Sequence, residues 1–261
     1  MSIRLAVFDL GGTIVDKYSL SPFISLKHAF KNKGINIPNK LIFKDMGKSK
    51  LEHINDILND KDINKIWFDK YGYVPNKNSS EEIFNEFNNY QIKEGVKQVD
   101  ILPETKECID FLKTDNIHIG VTTGFNKPIM SAIREKLINN DIIIDKYVSS
   151  TCLGMPGRPE PYMINEIMNS FNIVNPKNVI KVDDTGVGIQ EGKNAGCITI
   201  GVAKWSTNMK MKSYEEGNTI SKEAYVEKLK ESRNILSDAN PDYVINSLNE
   251  IPNIIKHING D

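Results

Sequence analysis

The chain has little that would staple, anchor or attract. Among 261 residues there are three cysteines, Cys108, Cys152 and Cys197. An odd number without C-x-x-C spacing gives no disulfide framework and no thiolate metal centre. Four histidines, His28, His53, His118 and His257, likewise lack zinc-ligand spacing, which argues against a transition-metal site. Net charge is nearly absent, 33 basic side chains against 34 acidic ones, so no electrostatic case exists for nucleic acid or an anionic membrane as partner. No apolar run approaches the ~20 residues that span a bilayer. The first strand begins by about residue 3, leaving no room for a signal peptide. A cytoplasmic location is therefore expected. A 39% hydrophobic content supports a packed interior, and the length suits one large α/β domain or a core with a smaller insert.

What is present is a set of apolar runs that stop abruptly on polar residues. Leu5-Ala6-Val7-Phe8 ends on Asp9, followed by Leu10-Gly11-Gly12-Thr13-Ile14-Val15-Asp16. This arrangement puts a carboxylate at the carboxyl end of a strand, where open α/β sheets bind ligands, beside glycines that let backbone approach an anionic group. Ile117-His118-Ile119-Gly120-Val121 runs into Thr122-Thr123-Gly124. Gly157-Arg158-Pro159-Glu160-Pro161 supplies a fixed cation before a helix, and Val179-Ile180-Lys181-Val182 ends on Asp183-Asp184-Thr185-Gly186. Paired acids of that kind are hard oxygen ligands suited to Mg²⁺.

In this order the four segments resemble the motifs of the haloacid dehalogenase (HAD) phosphotransferase superfamily. The resemblance implies that Asp9 attacks phosphorus and becomes an aspartyl phosphate. It implies that Thr123 and Gly124 hold phosphate oxygens, and that Arg158 offsets charge gathered on phosphorus and the carboxylates.

Chain organisation fits. From about residue 21 to 97 strand signals vanish and amphipathic helical pieces follow one another, at 22–33, 38–45, 48–58, 62–71 and 80–93, the last starting near Ser79-Ser80-Glu81-Glu82. After Pro103, helices at 103–114, 127–138, 160–171 and 187–195 alternate with strands at 117–122, 146–149, 179–182 and 197–202. A polar segment at 204–222 reads as a mobile loop with a solvated lysine patch, and a last strand near 243–245 and a helix from 247 close the chain. Such alternation argues a parallel sheet with helices on both faces. The expected fold is thus an α/β HAD-like Rossmannoid core, residues 1–20 and 98–261, with a small helical cap domain, residues 21–97, inserted after the first strand.

Two features narrow the resemblance. Most phosphatases of this superfamily carry a second Asp two residues after the nucleophile, a general acid and base; here that position is Gly11. In the insert, Met46-Gly47-Lys48-Ser49-Lys50-Leu51-Glu52-His53 places Lys50 and His53 three apart and Met46 four before Lys50, on one face if all are helical. A Lys beside a His among apolar neighbours loses its charge more readily and becomes a nucleophilic amine. The cap pattern M-G-x-x-K-x-x-H resembles that of the phosphonatase (phosphonoacetaldehyde hydrolase) family, as do the absent acid, G-R-P-x-P-x-M at Gly157–Met163, and K-V-D-D-T with E-G-x-N-A-G between Lys181 and Gly196.

That resemblance implies a specific chemistry. A carbon–phosphorus bond breaks to a carbanion unless the adjacent aldehyde first becomes an iminium that accepts the electrons as an enamine. Lys50 would form the imine, Asp9 would attack phosphorus, and acetaldehyde and phosphate would leave. Mg²⁺ would be held by Asp9, the Gly11 carbonyl and Asp184, while Thr123 and Arg158 grip the phosphonyl oxygens, His53 shuttles protons and Met46 packs against the imine. A homodimer acting on a small phosphonate is implied too. The sequence departs from the family at Phe125 and Ser19, where an aromatic hydroxyl and, in some members, a thiol are expected. An alternative reading remains, a phosphonatase-like HAD phosphatase of a small phosphate ester in which Lys50 is only a specificity contact. A non-catalytic binding module is disfavoured by the intact Asp9, Thr123, Arg158 and Asp184.

Overall fold

The computed structural model describes residues 2–260, so the first and last residues of the expected core lie outside it. Six strands, β1 (Leu5–Phe8), β2 (His118–Thr123), β3 (Lys146–Ser149), β4 (Val179–Asp183), β5 (Ile198–Val202) and β6 (Tyr243–Ile245), form one parallel sheet in the order β3-β2-β1-β4-β5-β6. β1 and β4 are buried at every residue, as parallel strands covered on both faces must be. Alternation sorts β1 between two cores: Leu5 and Val7 pack with Ile164 and Ile167, whereas Ala6 and Phe8 join the larger cluster.

Helices α1 (Leu20–Asn32), α2 (Asn39–Lys44), α3 (Lys50–Leu58), α4 (Lys61–Tyr71) and α5 (Lys77–Tyr90) intervene between β1 and β2, followed by a π-turn at Gln91–Gly95 and the single turn α6 (Val96–Gln98). The rest of the chain contributes α7 (Thr105–Thr114), α8 (Lys127–Ile138), α9 (Ser150–Leu153), α10 (Tyr162–Ser170), α11 (Gly186–Asn194), α12 (Tyr214–Thr219), α13 (Lys222–Asp238) and α14 (Ile251–Asn259). Strand order reverses at β1, whose neighbours are β2 on one side and β4 on the other. The crevice at its carboxyl end is therefore a topological switch point, where ligands bind in sheets of this kind.

Outside the site, the structure differs from the sequence reading chiefly at three places. α5 starts at Lys77 because Asn76 caps it, accepting from the Asn78 and Ser79 amides, and Ser79 returns a bond to the Asn76 amide. The segment 204–222 is not a loose loop: Met209 and Met211 are buried, Lys204 pairs with Glu104, and α12 lies within it. The 17-residue α13, absent from the reading, buries only Ser232 and Leu236, too narrow an apolar stripe to signal a helix.

Asp16 joins the first helix to the sheet. Residues Asp16, Tyr18 and Ser19 all take positive φ. The Asp16 carboxylate accepts from the Ser21 amide at 3.2 Å and from the Tyr214 hydroxyl at 3.0 Å. Burial pushes its carboxyl up from 3.8 to about 7, against the pull of those bonds. A carboxyl whose pKa rises on folding adds stability that is complete below its unfolded value and is lost as pH climbs toward the folded one. Asp16 therefore weakens the fold between about pH 4 and 7, and Asp16→Asn, which keeps the acceptor oxygen, is expected to flatten that decline. Denaturant unfolding of both proteins across the range checks this; parallel pH curves would contradict it.

Candidate active site

Asp9 follows β1 directly, its amide donating to the Val182 carbonyl of β4 at 3.0 Å. Thr123 ends β2, its hydroxyl accepting from the Phe125 amide at 3.2 Å and so keeping its own proton free to donate. Asp183 and Asp184 close β4, and Arg158 reaches in from the loop between α9 and α10. Asp9, Gly11, Met46, Lys50, Thr123, Gly124, Arg158 and Asp184 all line one cavity, together with Ser19, Phe125 and Thr185. His53 does not line it.

Arg158 is 4% exposed and fully engaged. Its Nη1 lies 2.8 Å from Asp9 Oδ1 and donates to the Gly47 carbonyl at 3.3 Å. Nη2 donates to the Thr122 carbonyl at 2.7 Å and hydroxyl at 2.8 Å, and Nε to Glu191 at 2.8 Å. One guanidinium thus ties the end of β1 to the segment between α2 and α3.

Asp9, Asp183 and Asp184 are buried and offer oxygens all within 4.8 Å of one another. Asp183 is held low: the Lys181 ammonium and the Arg158 guanidinium outweigh its burial, and Thr185 donates to it through both amide and hydroxyl. Asp9 and Asp184 are instead pushed up, by burial and, in part, by the neighbouring carboxylates. Asp184 accepts from the Thr207 amide at 2.8 Å and the Thr13 hydroxyl at 3.3 Å. An all-oxygen set of crowded acids fits a hard divalent cation such as Mg²⁺, whose charge would let them ionise together. Asp183 belongs to this cluster beside the expected Asp9 and Asp184.

Lys50 is the first residue of α3, whose cap Ser49 accepts from the Glu52 amide. Gly47, at φ 95°, turns the chain between α2 and α3, so Met46 lies before the helix and meets Lys50 across a loop rather than along a face. A Cβ on Gly47 would come within 2.6 Å of Thr185 Oγ1, and one on Gly124 would overlap the Lys48 carbonyl. These two glycines let the insert rest directly on the sheet. Lys50 is 6% exposed, and burial lowers its ammonium from 10.5 to about 8, the Arg158 charge adding to the push against the pull of Asp9. About a tenth of it is then neutral at pH 7, against about one part in three thousand at its ordinary value. Its Nζ stands 6.0 Å from the Phe125 ring centroid. His53 shares the buried side of α3; burial and the Lys50 charge lower it to about 3, so it is neutral, and neither ring nitrogen has a hydrogen-bond partner among the described residues. Lys48, half-exposed, pairs with Asp45 at 2.6 Å and Asp56 at 2.8 Å.

Thr122, Lys181 and Glu191 were given no role from sequence, although Lys181 and Glu191 open the K-V-D-D-T and E-G-x-N-A-G motifs. Lys181 is fully buried, 2.7 Å from Thr122 Oγ1, 3.0 Å from Asp183 and 3.2 Å from Glu191. The available signal was a lysine inside an apolar strand, a group that is buried only when paired.

Comparison with known proteins agrees with this geometry. The haloacid dehalogenase-like hydrolase family model matches residues 3–196. A phosphonoacetaldehyde hydrolase of Latilactobacillus sakei is 32% identical over 257 residues, covering 97% of this chain and 95% of the relative. One from Paraburkholderia phytofirmans is 29% identical, covering 98% and 95%. The crystal structure of a phosphonoacetaldehyde hydrolase-like protein from Oleispira antarctica superposes with a TM-score of 0.93 at 26% identity, covering 100% of this chain and 94% of that one. With an aspartate-tipped parallel sheet, a helical insert after its first strand and matches of this extent, the chain belongs to the haloacid dehalogenase-like hydrolases and, within them, to the phosphonoacetaldehyde hydrolase family.

Proposed function

We propose that the protein hydrolyses the carbon–phosphorus bond of phosphonoacetaldehyde to acetaldehyde and phosphate. The observation that carries this reading is a buried amine, Lys50, in the same cavity as Asp9, with Gly11 where a general acid two residues after the nucleophile would stand. Lys50 condenses with the aldehyde, losing water, to give an imine that is protonated to an iminium. Asp9 attacks phosphorus, the carbon–phosphorus electrons move into an enamine, and an aspartyl phosphate forms. The enamine takes a proton from solvent at the carbon that carried phosphorus and so returns to the iminium; water then hydrolyses this iminium and the acyl phosphate, releasing acetaldehyde and phosphate. Thr123 binds the phosphonyl oxygens with Gly124 beside it, Arg158 joins them by turning its Nη1 donor from Asp9 to the substrate, and Met46 packs against the imine. His53, neutral on the buried side of α3, packs near that amine and would carry its proton only in transit, since burial and the Lys50 charge lower the ring to about 3.

Asp9, Asp184 and the Gly11 carbonyl, with Asp183 beside them, would hold Mg²⁺, which supplies positive charge that lets carboxylates and an anionic phosphonate share one site. Residues 1–20 and 98–261 act as the core and 21–97 as the cap; the Gly47 and Gly124 contacts support a cap that closes on the sheet. Exposed Ile66, Phe68, Tyr73 and Val74 in and after α4 support a homodimer formed through the cap. Three free cysteines support a cytoplasmic location, and no helix among the described residues is long and apolar enough to cross a membrane.

Borohydride added with phosphonoacetaldehyde or acetaldehyde should inactivate the enzyme and leave a reduced adduct on Lys50 in a peptide map. Lys50→Arg, which stays protonated, should be nearly inactive while Lys48→Arg is tolerated; an adduct on Lys48 or an active Lys50→Arg protein would overturn the imine. Because only the neutral amine reacts, kcat/KM should rise with pH through about 8, and a flat profile from pH 6 to 9 would contradict the role. Phosphate monoesters, which need a proton donor at the position of Gly11, should turn over about 10²-fold or more slower than phosphonoacetaldehyde, and a substrate panel with and without Mg²⁺ reads both this and the metal requirement.

A further inference from the structure

We propose that Glu191, Thr122 and Lys181 are positioning residues for Arg158, fixing the rotation of its guanidinium so that Nη1 alone faces the reacting group. This deepens the function proposed above and rests on the charge-stabilising role given there to Arg158.

The hydrogen bonds divide the guanidinium into two halves. Nε and Nη2 are spent on the scaffold, at Glu191 Oε2 and at the carbonyl and hydroxyl of Thr122, all between 2.7 and 2.8 Å. Only Nη1 points to Asp9 and the cap carbonyl of Gly47, while Nη2 stands at a longer 3.6 Å from Asp183. The scaffold half is itself held. Thr122 Oγ1 accepts from Lys181 and Arg158 and donates to Glu191 at 3.0 Å. Glu191 gathers its three partners, Arg158, Thr122 and Lys181, on the single oxygen Oε2, while Oε1 has none among the described residues.

Thr122 stands on β2 and Lys181 on β4, the two strands that flank β1. The network therefore braces Arg158 against both neighbours of the strand that ends in Asp9. All members are at most 4% exposed. Folding alone gives little reason for such an assembly, because buried ion pairs are often matched in stability by apolar residues of similar volume. Aim gives a reason: a donor contributes to catalysis when it is held where charge develops before the charge arrives. A freely rotating guanidinium would lose that advantage.

The test is a double-mutant cycle on the full enzyme with phosphonoacetaldehyde, with thermal unfolding measured alongside. Glu191→Asp keeps the charge but withdraws the carboxylate by one methylene. It should lower kcat about tenfold or more with a smaller change in KM. In an Arg158→Lys background, which has no Nε to hold, the same substitution should cost no more than about twofold. Equal losses in both backgrounds, or a lowered Tm with kcat intact, would assign the network to folding and overturn the proposal. If Arg158→Lys itself turned over like the parent, the role of Arg158 would fall and this inference with it; a slow Arg158→Lys with additive losses would remove this inference alone. Should Glu191→Asp fail to fold, Thr122 supplies the second arm. Thr122→Ser retains the hydroxyl and should stay within about threefold of the parent, Thr122→Val should fall about tenfold, and equal activities of the two would overturn the proposal.

Discussion

The structure turns on a shortage of positive charge at the carboxyl end of the sheet. Asp9, Asp183, Asp184 and Glu191 are all buried there, against the buried Arg158, Lys181 and a Lys50 whose ammonium is weakened. Four carboxylates cannot ionise side by side in a medium that screens poorly unless something supplies the missing charge. Asp9 and Asp184 are pushed up, while Asp183, set beside Lys181 and Arg158, is held down. A divalent cation held among these acids would, with Arg158 and Lys181, bring the cluster near balance.

The parallel sheet explains why the site sits where it does. Only at the reversal of strand order do the ends of β1, β2 and β4 converge without a crossover helix filling the space. Asp9, Thr122 and Thr123, and Asp183 and Asp184 are all strand-end or adjacent residues, so their spacing is set by the ~4.8 Å between strands rather than by loops. Arg158, the one group delivered by a loop, is the one that needs bracing.

Much of this was legible in the sequence, for a physical reason. Strand ends marked by acid and glycine are local signals, and β2, β3 and β4 lie within a residue or so of where the apolar runs put them. What escaped depends on tertiary context. Helix α13 touches the core through a stripe too narrow to stand out, and the lysine-rich 204–212 segment looks solvated until Thr207 is seen to donate to Asp184 and Lys204 to pair with Glu104. Met46, Lys50 and His53 read as one helical face because their spacing allows it. Gly47 at positive φ ends that reading, sending Met46 and Lys50 to the cavity and leaving His53 behind.

The glycine at position 11 and the lysine at position 50 form one argument. A carboxylic acid two residues after Asp9 would add a fifth acid to a cluster already short of positive charge, and it would stand among the groups that face Lys50. Any carboxylate there would pull the amine back toward its ordinary ammonium range, as Asp9, Asp16 and Asp184 already do in part. Gly11 withholds that pull. The absence that deprives the site of a proton donor for ester cleavage thus helps keep a fraction of a buried amine neutral, and in the proposed imine chemistry that fraction would make a carbon leaving group tolerable without the donor.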